Sequence, residues 1–103
     1  MQGNMKNMMK KMQKMQKEMG QAQKQLEAKE FTGVANDELV KVTMNGNRDV
    51  LGVDIKEDIA ESGDKEMLED LVLIAVKDVL GQIDSETEEV MGKYTDNLNF
   101  PGF

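Results

Sequence analysis

The side chains best placed to do chemistry are the lysines of the first thirty residues. Lys6, Lys10, Lys11, Lys14, Lys17 and Lys24 recur at helical intervals, and residues 1–17 hold five lysines and no acid. A row of ammonium groups on one side of a helix neutralises a row of phosphates. Lys6 with Lys10, and Lys10 with Lys14, are like-charged i,i+4 pairs that each cost a helix about 0.2–0.5 kcal/mol. A helix under no other demand interleaves acids at such positions. Phosphate contact and a merely solvated face are the two readings.

Other chemistry lacks its residues. There is no Cys, His or Trp, serine occurs only at 62 and 85, and Pro101 is the sole proline. A disulfide framework, a Cys/His metal site and a His-based catalytic triad are therefore excluded. Gly33, Gly46 and Gly52 fit neither a phosphate loop nor a dinucleotide fingerprint. Glu57 and Asp58 read as surface acids, and residues 54–58 lack the ligand spacing of a calcium loop. Seven of the ten methionines fall in the first 19 residues, and thioethers suit Cu(I). Heptad spacing, however, already explains five of those seven. The expectation is a non-enzyme with no catalytic residue, metal, cofactor or small-molecule substrate.

That heptad is the element that must position the lysines. Met5, Met8, Met12, Met15, Met19, Ala22 and Leu26 alternate spacings of three and four, which is one narrow a/d seam on a helix over residues 5–29, about 37 Å long. Lys6, Lys10, Lys14, Lys17 and Lys24 fall at b, f, c, f and f, opposite the seam, and Lys11 at g. A seam of methionine packs adaptably and specifies register poorly. Its natural partner is another helix, and whether that helix lies in the same chain or in a second copy stays open.

Residues 31–55 predict three strands. Phe31 to Ala35 is short and weak. Val40, Val42 and Met44 share a face of the second strand, and Leu51, Val53 and Ile55 share one of the third. Asn45-Gly46-Asn47 is a hairpin signal. An Asn45-Gly46 turn pairs Val42 with Asp49. A Gly46-Asn47 turn pairs Val42 with Leu51 and Val40 with Val53, and is preferred because apolar meets apolar. A helix over 65–94, capped by Asp64, supplies the cover through Leu68, Leu71, Val72, Ala75, Val76, Val79 and Ile83. Leu73, Ile74 and Leu80 widen its apolar arc, so Leu71, Leu73, Ile74 and Leu80 are the expected dimer interface. Residues 95–103 read as an irregular tail. The expected class is α+β, a single domain over 1–103 of order α-β-β-β-α. A three-stranded antiparallel sheet carries a projecting N-terminal helical arm and is covered by an amphipathic C-terminal helix.

The formal charge of −7 reads as an acidic protein and argues against nucleic acid. It divides unequally. Residues 1–30 hold seven lysines and three glutamates, net +4. Residues 31–103 hold six basic and seventeen acidic residues, net −11. A basic arm on an acidic body is the footprint of an anionic partner met at one end. The longest apolar run, residues 71–76, is far short of the roughly 20 residues that span a membrane, and no apolar stretch follows the first lysines as in a signal peptide. At 39% hydrophobic residues, burial shared with a second copy is expected.

Four blocks give the chain a family resemblance. They are Asn4-Met5-Lys6-Asn7-Met8-Met9-Lys10-Lys11-Met12-Gln13-Lys14-Met15-Gln16; Val40-Lys41-Val42-Thr43-Met44-Asn45-Gly46-Asn47; Glu66-Met67-Leu68-Glu69-Asp70-Leu71-Val72-Leu73; and Met91-Gly92-Lys93 with Leu98-Asn99-Phe100-Pro101-Gly102-Phe103. Together they resemble the YbaB/EbfC family of bacterial nucleoid-associated DNA-binding proteins over nearly the whole chain. The resemblance implies a cytoplasmic, nucleoid-located homodimer that binds duplex DNA with relaxed sequence preference, organising the nucleoid or regulating expression. It places DNA contact on the long helices, hence on Lys6, Lys10, Lys11, Lys14 and Lys17. Where that family often has glycines before its second strand, this chain has Asn36-Asp37-Glu38. The rival expectation is a protein-interaction module whose seam grips a partner helix while the lysines solubilise it.

Overall fold

The structure, a computed structural model, describes the backbone of residues 2–97 and the side chains of residues 4–94. The order is α1 (Gln2–Ala28), β1 (Glu30–Ala35), β2 (Val40–Asn45), β3 (Val50–Ile55), α2 (Glu57–Glu61) and α3 (Lys65–Asn97). The strands form one antiparallel sheet in sequence order. This is the expected α+β arrangement with one added element, the single-turn α2. Asp64 caps α3 by accepting the Met67 N–H at 3.0 Å. Residues 95–97 continue α3, where a tail is expected, and residues 98–103 lie outside the described residues.

Alternation makes the core. Phe31, Gly33 and Ala35 of β1 face the same side as Val40, Val42 and Met44 of β2. Leu71, Ala75, Val79 and Ile83 of α3 lie over them, with Ile59 of α2 and Leu26 of α1 closing the ends. The helix approaches closely because Gly33 has no side chain. A Cβ there would overlap the Ala75 carbonyl oxygen and the Val79 amide, and would stand 2.7 Å from the Val79 Cβ. Cover stops short of the third strand: Val50, Leu51 and Val53 of β3 are each more than half exposed.

The β2–β3 register differs from the expected one by two residues. Val42 pairs with Val53 and Val40 with Ile55, while Met44 meets Val50, leaving Leu51 as a bulge. The turn is the cause. Neither two-residue turn forms; instead Gly46, Asn47 and Arg48 make a three-residue loop. The Arg48 N–H donates to the Asn45 carbonyl at 2.9 Å, the Asn45 N–H donates to Asp49 at 3.1 Å, and Arg48 takes a left-handed φ of 66°. The Asn45 side-chain oxygen accepts the N–H groups of Asn47 and Asp49 at 2.9 and 3.0 Å, a local bond that outweighs the preference of strand side chains for one register. Apolar still meets apolar, because a slip of two keeps Val53 and Ile55 on their face, and the bulge sets Val50 against Met44.

The β1–β2 hairpin is built less comfortably. Asp37 and Glu38 both hold left-handed backbone, with φ of 54° and 63°, a region costly for residues with a Cβ. Exchanging Glu38 for Gly should raise unfolding stability by about 0.5–1 kcal/mol, read as a higher urea midpoint at unchanged m-value. Gly33→Ala should lower stability by about 2–3 kcal/mol by forcing α3 off the sheet. An unchanged midpoint would contradict the close approach.

Candidate nucleic-acid interface

The 27 residues of α1 rise about 40 Å, yet only the last turns meet the body. Leu26 is buried there, and the hairpin glycine Gly46 lies so close beneath it that an added Cβ would fall on the Leu26 carbonyl. The Gly46 N–H donates to the Lys29 carbonyl at 2.9 Å, and the Lys29 ammonium pairs with Glu86 of α3 while lying 5.4 Å from the centre of the Phe31 ring. From that anchor the helix leaves the body, and the molecule measures 74 × 26 × 17 Å.

Burial along the seam follows from this geometry. Leu26 is 7% exposed, Ala22, Met19 and Met15 are half-buried, and exposure rises from 54% at Met12 to 69% at Met5. The contacts at the base are with α3: Ala22, Leu26 and Lys29 share a cleft with Glu86 and Val90. At about 100° per residue, Lys6, Lys10, Lys14, Lys17 and Lys24 fall within an arc of roughly 80° on the side away from the seam, and Lys11 stands apart on its flank. All six are exposed.

Pairing separates the arm from the body more sharply than position does. Arg48 pairs with Asp84, Lys29 with Glu86, Lys41 with Glu38 at 3.8 Å and Lys65 with Glu69 at 3.7 Å. None of the six arm lysines has an ion-pair partner among the described residues, and elsewhere only Lys56, Lys77 and Lys93 share that condition, scattered over the acidic body. A groove of about 630 Å³ runs between the β1 edge and α3. Two of its four acids are engaged in structure: Asp78 accepts the Val34 N–H at 2.9 Å, and Glu86 holds Lys29. Glu57 and Asp58 lie exposed in the first turn of α2, where the helix dipole favours them.

The four residues expected at a dimer interface do not stay together. Leu71 is 3% exposed, inside the core of a single chain, so it has no surface left for a partner. Leu80 is half-buried, and Leu73 and Ile74 are exposed. Helical geometry puts Leu73 and Leu80 on the flank of α3 that also carries Asp84, which reaches the β2–β3 loop. Ile74 lies on the opposite flank with Asp78 and Gln82, which bind β1. Sequence reasoning missed the bare face of β3, because alternation alone cannot tell how far a covering helix extends across a sheet.

The YbaB/EbfC DNA-binding family matches residues 1–98. Among curated relatives, a nucleoid-associated protein of Listeria monocytogenes is 54% identical, covering 97% of this chain and 95% of its own. One of Enterococcus faecalis is 50% identical over 98% and 95%. One of Oceanobacillus iheyensis is 47% identical over 99% and 98%. The crystal structure of an uncharacterized protein from Helicobacter pylori superposes with a TM-score of 0.67 at 20% identity, covering 80% of this chain and 86% of its own, and so shares the fold. With the family model matching residues 1–98 and relatives about half identical over nearly the whole chain, the chain belongs to the YbaB/EbfC DNA-binding family.

Proposed function

We propose that this chain is a nucleoid-associated protein that binds duplex DNA as a homodimer with relaxed sequence preference, organising the nucleoid or regulating expression from the bacterial cytoplasm. The observation that carries the reading is the grouping of free cations: six arm lysines have no ion-pair partner among the described residues and five of them share one face, whereas half of the body's six cations are paired with carboxylates and the rest are scattered. Lys6 to Lys24 spans about 27 Å of helix, long enough to follow several consecutive phosphates. Lysine offers point charges without the planar fork by which arginine reads guanine. The only arginine, Arg48, is held by Asp84. Contacts of this kind position a protein on the backbone and read little sequence. No helix among the described residues is long and apolar enough to cross a membrane.

The dimer rests on the sheet. Its β1 edge is closed, since Asp78 takes the outward Val34 N–H and the Gln82 amide donates to the Thr32 carbonyl at 2.9 Å. The β3 edge has no such cover among the described residues, and Val50, Leu51 and Val53 stand exposed beside the flank bearing Leu73 and Leu80. An open edge with an apolar face is the surface a second copy would use. The exposed methionines of the arm tip favour a second reading, the helical interaction module without DNA contact.

A gel shift with unrelated duplexes at low salt separates the two, since the interaction module shifts none. With about five phosphates neutralised, log K should fall against log salt with a slope near −0.9 per phosphate, and a salt-independent affinity would remove the mechanism. Replacing Lys10, Lys14 and Lys17 together by Glu should abolish binding while light scattering still reports a dimer. Leu51→Lys with Val53→Lys should yield a monomer by light scattering. A dimer that persists would move the interface off β3.

A further inference from the structure

Lys11 is the arm cation that the lysine row leaves aside, and Asn7 accounts for it. At about 100° per residue, Asn7 and Lys14 lie within roughly 20° of each other around α1. Lys10 stands about 50° to one side of their mean direction, and Lys11 about 50° to the other. Lys6 lies farther round on the Lys10 side, at about 90°. Positions 7, 10, 11 and 14 are neighbours on one helical face, so a side-chain amide is set between ammonium groups on both flanks. All five side chains are exposed, and Asn7 makes no side-chain hydrogen bond among the described residues. Met5, Met9 and Met12 point within about 30° of the opposite direction, away from anything this face touches.

The residue type matters as much as the position. Asn is a poor helix former, because its short side chain competes for nearby backbone groups. From residue 8 onward the carboxamides of α1 are all Gln, at 13, 16, 21, 23 and 25. Asn7 therefore weakens its helix on an exposed face where it packs against nothing. What its amide supplies is one donor group and one acceptor side by side. Adenine presents the matching pair in the major groove, an acceptor ring nitrogen and a donor amino group. A helix about 10–12 Å across enters that groove, which is about 12 Å wide. Lysines on both flanks of the face then reach phosphates on both walls, and such contacts fix depth and orientation. Lys6 to Lys14 rises about 12 Å, the length of roughly three to four base pairs. Glu18, the first acid in the sequence, follows one turn beyond Lys14 and about 30° from the same direction, so its carboxylate bounds the stretch that a groove accepts.

We propose that residues 6–14 of the arm lie in the major groove with Asn7 against the base edges, where its amide takes paired hydrogen bonds with one adenine. The inference rests on the DNA-binding function proposed above and adds one base-reading residue to it. The Asn7 side-chain oxygen accepts from the adenine amino group, and its NH₂ donates to the ring nitrogen beside it. Lys10 and Lys11 hold the phosphates of opposite walls. One base pair read per arm gives a bias toward adenine while sequence preference as a whole stays relaxed.

The test is competition binding with the full chain at fixed salt. One competitor is a mixed-sequence duplex. The other is the same duplex with every adenine replaced by 7-deazaadenine, which lacks the acceptor nitrogen but keeps base pairing, minor groove and phosphates. The unaltered chain should bind the substituted duplex about fivefold or more weakly. Asn7→Ala should bind both duplexes equally, at the unaltered chain's affinity for the substituted one and with an unchanged salt slope. Equal affinity of the unaltered chain for both duplexes would overturn the proposal and leave DNA binding standing. So would discrimination that survives in Asn7→Ala, or a shallower salt slope in that variant, which would put Asn7 on a phosphate. An unaltered chain that binds neither duplex at low salt would overturn the DNA-binding function and this inference together.

Discussion

A 27-residue helix is anchored to the body at its base, around Leu26, and the absence of a side chain at Gly46 is what permits it. Leu26 is buried against α3 and the base of the sheet because the hairpin loop can approach the α1 backbone to within contact distance. The Lys29 carbonyl takes the Gly46 N–H, and the Lys29 ammonium is drawn to Glu86 and the Phe31 ring. Everything outward of that anchor follows. The seam is buried at its root and bare at its tip, and the lysines on the opposite side stand clear of the acidic body.

Charge partition gives the projection its meaning. A formal −7 describes a body at −11 carrying an arm at +4. In the body half of the six cations are matched to neighbouring carboxylates and the others are scattered among seventeen acids, so a polyanion meets mostly like charge there. On the arm no acid competes over residues 1–17. The like-charged spacing that weakens the helix by a few tenths of a kcal/mol per pair is the same spacing that leaves its ammonium groups available. An acidic total is therefore compatible with membership of a DNA-binding family.

The sheet shows the same division between closed and open surfaces. At β1 two side chains of α3, Asp78 and Gln82, satisfy outward backbone groups that would otherwise template another strand. At β3 the covering helix falls short and apolar side chains remain in water. Gly33 determines this offset. By letting α3 settle directly on β1 and β2, it draws the helix away from the third strand, so one close contact both seals an edge and leaves another face uncovered.

Sequence alone determined the two long helices and the three strands, their order and the faces they present, because those depend on local periodicity; the single-turn α2 was too short to show one. The 3-4 spacing of the methionines, the alternation of Val40, Val42 and Met44, and the Asp64 cap are properties of short segments, and each was legible. The four sequence blocks were legible as a family. The lysine row was legible too, since helical geometry fixes which side chains share a side. Tertiary structure decided what depends on distances between segments: the three-residue loop that slid β3 by two positions, the burial of Leu71 within one chain, and the edge closure by Asp78 and Gln82. It also decided which cations are free, because an ion pair such as Arg48 with Asp84 joins residues far apart in the chain. No pattern within either segment can announce it.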